Sequence, residues 1–305
     1  MTAAPRITVG IASRDRAESL VRCINSLAMI GDVVAEVIVA DDGSTLPLEP
    51  LVRGRIGGAR HTVTFIRHPL SRGLAASRNE LVERATTPLV LLLDDDTALL
   101  SPAAVADAIR TIANDPQIFA MAFAQANADG EGWPSGAQPA AVDYPCLVPT
   151  YIGFAHLVRR AVFLALGGYR AQLLINGEEG ELCLRALDAG WSVVFLPEAR
   201  IAHLIDPAGR DLRRYLHLIV RNGCLMSIYN DPFPLMCVRT TMRLLSYFRM
   251  RRGWGVSDPW GFFTVLRWLG GGLWEALRLR HAVRWSTIRR WRELTRTAPA
   301  YRAPA

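Results

Sequence analysis

Over the first two thirds of the chain, apolar residues fall into short runs broken at regular intervals. Residues 7–12, 33–40, 63–67 and 89–93 are rich in Val, Ile and Leu at strand length, while residues 16–29 and 74–85 place their apolar positions at helical spacing. Asp15 stands where an N-cap for the first helix would stand. This alternation implies an α/β architecture, a mainly parallel, Rossmann-like sheet flanked by helices on both faces. The pattern then loosens. A helix is predicted over 103–114, a strand over 118–125, a long Gly-, Pro- and Ala-rich loop over 127–144, and a strand crossing the sheet within 150–159. A short helix over 160–166 stops at Gly167-Gly168, and a helix over 179–189 closes on Gly190. Residues 192–196 and 200–204 read as two further strands. Helical patterns follow over 212–229, 236–250, 259–279 and 282–294, with Pro232 and Pro234 breaking the first from the second, and residues 297–305 are expected to fray. The expected division is a sheet-bearing domain over 1–230 and a helical extension over 231–305.

Charge sharpens that division. Half of the 305 residues are hydrophobic and 21% are charged, the balance of a globular chain. The net charge of +7 is unevenly placed: residues 1–231 carry 21 Arg against 25 acidic residues, and residues 232–305 carry 14 Arg against 3. The chain has no lysine. Six tryptophans, Trp254, Trp260, Trp268, Trp274, Trp285 and Trp291, share the basic segment. Such a segment suits helices lying on an anionic membrane surface, or else helices that pack on the sheet or form a homodimer. No nucleic acid is expected, since basic charge alone is unspecific. The five cysteines are scattered, without a CxxC, and read as reduced residues of a cytoplasmic protein. No signal peptide precedes the first strand, and the nearly uncharged stretches fall short of the roughly 20 residues a spanning helix needs. The expected location is cytoplasmic, peripheral on the cytoplasmic face of a membrane where the basic helices bind one.

The candidate chemistry begins at Asp94-Asp95-Asp96, which ends the apolar run 89–93. A buried strand that delivers three carboxylates to its own carboxyl end needs a neutralising cation, and a hard divalent metal with a phosphate behind it would serve. Ligands of open α/β sheets bind at those strand ends. A solvated acidic turn is the competing reading. Glu178, Glu179 and Glu181 open a helix, where they complement its dipole or where Glu178 or Glu179 supplies a general base. His203 ends a strand, as a structural residue or a metal ligand.

In order and spacing, several segments resemble the family 2 glycosyltransferases, inverting nucleotide-sugar enzymes of the GT-A fold. They are Ile11-Ala12-Ser13-Arg14-Asp15-Arg16, Val39-Ala40-Asp41-Asp42-Gly43-Ser44, Arg72-Gly73-Leu74-Ala75-Ala76-Ser77-Arg78-Asn79 and Leu93-Asp94-Asp95-Asp96. Gly167-Gly168-Tyr169, Gly177-Glu178-Glu179, Asp188-Ala189-Gly190-Trp191 and His203 complete the set, which spans about residues 6–230. The resemblance implies that Ala12, Ser13 and Arg16 wall the base and ribose, and that Asp42, or less readily Asp41, contacts the nucleobase. It implies nucleotide contacts for Arg72, Gly73 and Arg78, the last able to grip phosphate bidentately. Asp94 and Asp96 match the outer positions of a DxD motif. Asp94, with Asp95 beside it, is then near ribose or a metal-bound water, Asp96 is a direct ligand of Mn2+ or Mg2+, and His203 is the third metal-site residue. Glu179 or Glu178 is the implied catalytic base; Arg170 replaces the acid usual after Gly167-Gly168-Tyr169.

The implied reaction moves a sugar, with inversion, from a UDP-, dTDP- or GDP-linked donor to a hydroxyl of a glycan, lipid-linked or small-molecule acceptor, as in cell-surface polysaccharide or glycolipid synthesis. The alternatives are a non-catalytic or small-metabolite-directed relative and a sugar nucleotidyltransferase. Against the last, residues 12–16 lack the glycines of a phosphate loop.

Overall fold

The computed structural model describes residues 5–57, 62–205 and 211–304. Nine strands form one sheet: β1 (Ile7–Ser13), β2 (Val34–Asp41), β3 (Val63–Arg67), β4 (Leu89–Asp94), β5 (Thr97–Leu99), β6 (Ile118–Ala126), β7 (Cys146–Val148), β8 (Ala155–Arg159) and β9 (Ser192–His203). Their order is β3-β2-β1-β4-β8-β6-β9-β5, with β7 also paired to β9. β1 and β6 are buried along their whole length, which is why they read as unbroken apolar runs.

The helices are α1 (Ala17–Ser26), α2 (Leu48–Val52), α3 (Leu74–Arg84), α4 (Pro102–Asn114), α5 (Arg160–Ala165), α6 (Glu178–Asp188), α7 (Leu212–Asn230), α8 (Leu235–Gly253), α9 (Gly261–Arg278) and α10 (Trp285–Thr297). Leu20 and Ile24 of α1 join Ile109 and Ile112 of α4 in a core on one face of the sheet. Leu81 of α3, Phe163 of α5 and Leu182 of α6 share the core on the other.

Four expectations are corrected. The sheet is mixed rather than mainly parallel throughout: β8 runs antiparallel to both β4 and β6, because the chain re-enters it from the strand ends after the 127–144 loop. The two strands expected over 192–204 are one, since Phe123 pairs with Leu196 and Ala124 with Arg200. Pro197, Glu198 and Ala199 bulge out between them, which accommodates a proline without an N–H. Asp15 does not cap α1. It adopts a left-handed φ of 54°, its Oδ1 accepts from Thr45 N at 2.6 Å, and Arg16 takes the cap position without a side-chain bond. Finally, residues 299–301, within the segment expected to fray, are paired. Leu147 N donates to Pro299 O at 2.9 Å and Tyr301 N to Pro145 O at 2.8 Å, and Cys146 bridges Ala300, so residues 299–301 line the free edge of β7.

The C-terminal helices pack back on the sheet-bearing part. Tyr247 of α8 and Val265 of α9 bury against Leu216 and Val220 of α7, and Leu269 and Ala276 join Leu225 and Tyr229. His217 Nε2 lies 2.5 Å from Asp258 Oδ2 and fastens the α8–α9 turn to α7. α10 returns to α6, with Ile288 against Leu184. The five cysteines are free, and four are buried. Among the described residues, no helix is long and apolar enough to cross a membrane.

Candidate active site

Strand register assembles the site. Parallel pairing sets Ser13 beside Asp41 and Ala12 beside Asp94, and β5 places Thr97 opposite His203. The three aspartates then part. Asp94 Oδ1 accepts from Arg78 Nη2 at 2.7 Å. Asp95 turns back toward β1, accepting from Ser13 Oγ at 2.6 Å and Arg16 Nη1 at 2.9 Å. Asp96 faces β9: Oδ1 lies 3.4 Å from His203 Nε2, and Oδ2 accepts from Arg16 Nη1 at 3.2 Å.

Burial, with the neighbouring Asp94 and Asp96 adding to it, pushes the Asp95 carboxyl up to about 7 against Ser13 and Arg16. Burial also acts to raise Asp96, but His203 and Arg16 prevail and hold it below the usual carboxylate range.

One oxygen of Asp96, Oδ1, is buried without a hydrogen-bond partner. Single ligand atoms of Asp94, Asp96 and His203 lie within 4.8 Å of one another. His203 Nδ1 sits 2.6 Å from Gln125 Oε1, which leaves Nε2 for the site. Its ring is stacked with Trp133 and Phe154, at 5.3 and 4.9 Å between centroids. Two carboxylates and an imidazole around an unsatisfied oxygen fit a divalent ion of the Mn2+ or Mg2+ type.

Arg78 joins this cluster to the paired glutamates. It is 2% exposed. Besides Asp94, Nη2 donates to Gly153 O at 2.6 Å, while Nη1 reaches Glu179 Oε1 at 3.2 Å and Glu178 Oε1 at 3.4 Å. Arg78 therefore lies beneath the cleft with both amino groups committed, and the phosphate grip expected of it would require displacing them. Gly153 is required by close approach: a Cβ there would fall 1.9 Å from Glu179 Oε1 and 3.0 Å from Arg78 Nη1. Glu178 is wholly buried with Oε2 unpartnered, and burial together with the charge of Glu179 raises its pKa against Arg78. The side chain of Glu179 is 17% exposed. Glu181 is taken by Arg185 at 2.6 Å. The turn leading into α6 is anchored by Asn222 Nδ2, which donates to Leu173 O, Ile175 O and Asn176 O at 2.7, 2.8 and 2.8 Å.

At the end of β2, the two adjacent aspartates are both buried and differ in their partners. Asp41 accepts from Ser44 N at 2.9 Å and Leu48 N at 3.0 Å, a buried turn fastener at the start of α2. Asp42 accepts from Ser71 Oγ at 2.7 Å, Arg72 N at 2.8 Å and Gly73 N at 3.1 Å. Burial would raise its pKa, but the bonds from Arg72 N, Ser71 and Gly73 bring it below the usual value. The Arg72 guanidinium turns outward to Glu80 at 2.9 Å. Gln125, Trp133, Gly153, Phe154 and Asn222 escaped the sequence reading. Each meets the site only through strand pairing or helix docking, and no local spacing signals it.

The family model for "Glycosyl transferase family 2" matches residues 8–166, just over half of the chain and all the strands that carry the aspartates. The chain belongs to this family. Curated relatives of this family 2 chain include a pre-mycofactocin glycosyltransferase of Mycobacterium tuberculosis, 30% identical over 212 residues. The alignment covers 65% of this chain and 42% of the relative, so the chain spans about two fifths of that protein's length. Among solved structures, the mannosyltransferase PcManGT from Pyrobaculum calidifontis, in complex with GDP-Man and Mn2+, superposes with a TM-score of 0.61 at 17% identity, covering 91% of this chain and 79% of its own. GalNAc-T7 with UDP, GalNAc and Mn2+ gives 0.59 at 19% identity over 73% and 48%. S. aureus TarS 1–349 gives 0.58 at 16% identity over 90% and 83%. These structural likenesses establish the GT-A fold.

Proposed function

We propose that this family 2 chain transfers a sugar from a nucleotide-diphosphate donor to an acceptor hydroxyl in one inverting displacement, with a divalent metal at Asp94, Asp96 and His203 and Glu179 as the base. The observation that carries the reading is the Arg78 network, which ties a metal-type ligand cluster and a partly exposed carboxylate into one rigid unit. Asp96 and His203 would hold the ion and Asp94 would reach it directly or through water. When bound, it supplies positive charge against the donor diphosphate and the leaving nucleotide. PcManGT and GalNAc-T7 are described with Mn2+, which favours that ion here.

Glu179 is preferred to Glu178 because it reaches solvent, whereas Glu178 is sealed beneath it. In this reading Glu179 takes the proton of the acceptor hydroxyl, and Arg78 is a positioning residue that keeps its carboxylate aimed. Ala12, Ser13 and Arg16 would wall the nucleoside, and Asp42 would shape its far end through the 71–73 turn. Residues 1–230 would then form the catalytic unit and 231–305 an extension that docks it.

The setting we favour is an anionic membrane surface, with a lipid-linked acceptor of the kind used in polysaccharide or glycolipid synthesis. Val238, Met242 and Leu245 recur on one exposed face of α8, as do Phe263, Leu266, Trp274 and Leu277 on α9. Arg249, Arg252 and Arg278 flank them on the same helices.

The test is a thermal-shift series with UDP, GDP and dTDP, each with and without Mn2+, followed by hydrolysis assays of the matching nucleotide sugars. A metal-dependent rise with one nucleotide and slow hydrolysis of its sugar is expected. No response to any nucleotide in Mn2+ would refute the reading.

A further inference from the structure

Beside the turn that leads into Glu178, α7 and α9 border an open cavity of about 400 Å³, lined by Leu174, Arg214, Leu218, Arg221, Arg267 and Trp268 among others. Its three arginines have no counterion: among the described residues, no carboxylate comes within ion-pair distance of any of them. Arg221 is the telling one. It is 8% exposed, and its Nη1 donates only to neutral acceptors, Gln172 O at 2.8 Å and Asn222 Oδ1 at 2.9 Å. Nη2 has no hydrogen-bond partner among the described residues. Burial pulls the Arg221 guanidinium below its usual pKa, with Tyr229 and Glu275 opposing from further off. A largely buried cation with one amino group open to the cavity would gain from an anion entering it.

We propose that this cavity binds the phosphate or diphosphate group of the acceptor, with an adjoining apolar portion against Trp268 and Leu174. The proposal rests on the glycosyltransferase reading and names its acceptor class, an amphiphilic phosphate ester. Three guanidinium forks suit the several oxygens and multiple charge of a phosphate better than a single carboxylate. The placement suits an acceptor. Leu174 O accepts from Ala75 N at 3.0 Å at the start of α3, and the chain runs from Leu174 to the base Glu179 through carbonyls held by Asn222, the residue after Arg221. Two sources share this chemistry. A lipid phosphate would arrive along the exposed apolar face of α9, and a water-soluble phosphate ester would arrive from solution.

The experiment is isothermal titration of the full chain with inorganic phosphate, glycerol 1-phosphate and farnesyl phosphate. Binding of all three is expected, farnesyl phosphate most tightly. Arg214→Gln and Arg267→Gln, both at exposed side chains, should each weaken binding about tenfold or more. Arg221→Lys should do the same if it folds, and the two exposed variants carry the test if it does not. A clear preference for farnesyl phosphate would support the proposal and assign a lipid; equal affinity for glycerol and farnesyl phosphates would overturn the apolar portion and with it the amphiphilic class. Absence of phosphate binding, or binding that both exposed variants leave unchanged, would overturn the proposal. UDP and GDP affinities in Mn2+ are measured on the same proteins. Lost nucleotide binding in the unaltered chain sinks the donor reading alone, and retained nucleotide binding without a phosphate response sinks the cavity alone.

Discussion

Adjacent glutamates with opposite surroundings make the residue scale decisive here. Glu179→Gln removes the proposed proton acceptor while keeping the shape against Gly153, so turnover should fall on the order of 10²–10⁴-fold with nucleotide affinity intact. Glu178→Gln replaces a sealed carboxylate by a neutral isostere and should keep transfer within about tenfold of the unaltered chain. Steady-state kinetics on the pair check both, and the reverse ordering would transfer the role to Glu178. Gly153→Ala tests the same geometry from the backbone, since its methyl must push the Glu179 carboxylate aside. Turnover should drop with no matching loss of nucleotide binding. At the proposed metal site, Gln125→Leu releases His203 Nδ1 and should weaken Mn2+ binding about 10–100-fold, read by metal titration in the presence of nucleotide. The sequence displayed Asp94, Asp96, Glu179 and His203 but not these supports. Choosing between Glu178 and Glu179 requires burial, and choosing between Asp41 and Asp42 requires their partners, both properties of the folded chain.

Among the elements, α10 is held at its start by a single carboxylate. Asp188 Oδ1 accepts from Arg284 N at 2.9 Å and from Thr287 Oγ at 2.5 Å. Burial would raise the Asp188 pKa, but Thr287 and Arg284 hold it below the usual value. A lowered carboxylate stabilises the fold above its unfolded pKa, near 4, and loses that contribution as pH falls through the lowered value. Amide protection factors in 285–297, taken relative to the unfolded chain at each pH, should therefore be high at pH 7 and fall as pH drops below about 4, ahead of the sheet, and Asp188→Ala should mimic the acid state at neutral pH at a cost of about 1–3 kcal/mol. The long elements were legible because their apolar period outlasts local noise. β5 and β7, three residues each, carry no readable period, and Pro197 inside β9 looks like a strand break until its bulge is seen. The return of the chain end to β7 was hidden for a different reason: pairing across about 150 residues leaves no local mark.

For the whole molecule, residues 1–231 carry a net −4 and residues 232–305 a net +11, so the basic charge gathers on an apolar-faced helical flank. The full chain should sediment with phosphatidylglycerol vesicles at low salt, and less so at high salt, because each arginine near such a surface contributes about 1 kcal/mol. Met242→Glu combined with Leu245→Glu should abolish sedimentation without lowering thermal stability, since both side chains point outward. Vesicle binding that ignores both salt and these substitutions would remove the membrane setting. The moored chain end also changes what α8 and α9 are mechanically. Because α10 and residues 299–301 return to α6 and β7, those helices form a handle fixed to the sheet at two points, not a trailing arm. A chain cut after Asn230 would lose the second attachment and uncover a raw strand edge at β7, whose open N–H and C=O groups would invite the same edge of another molecule.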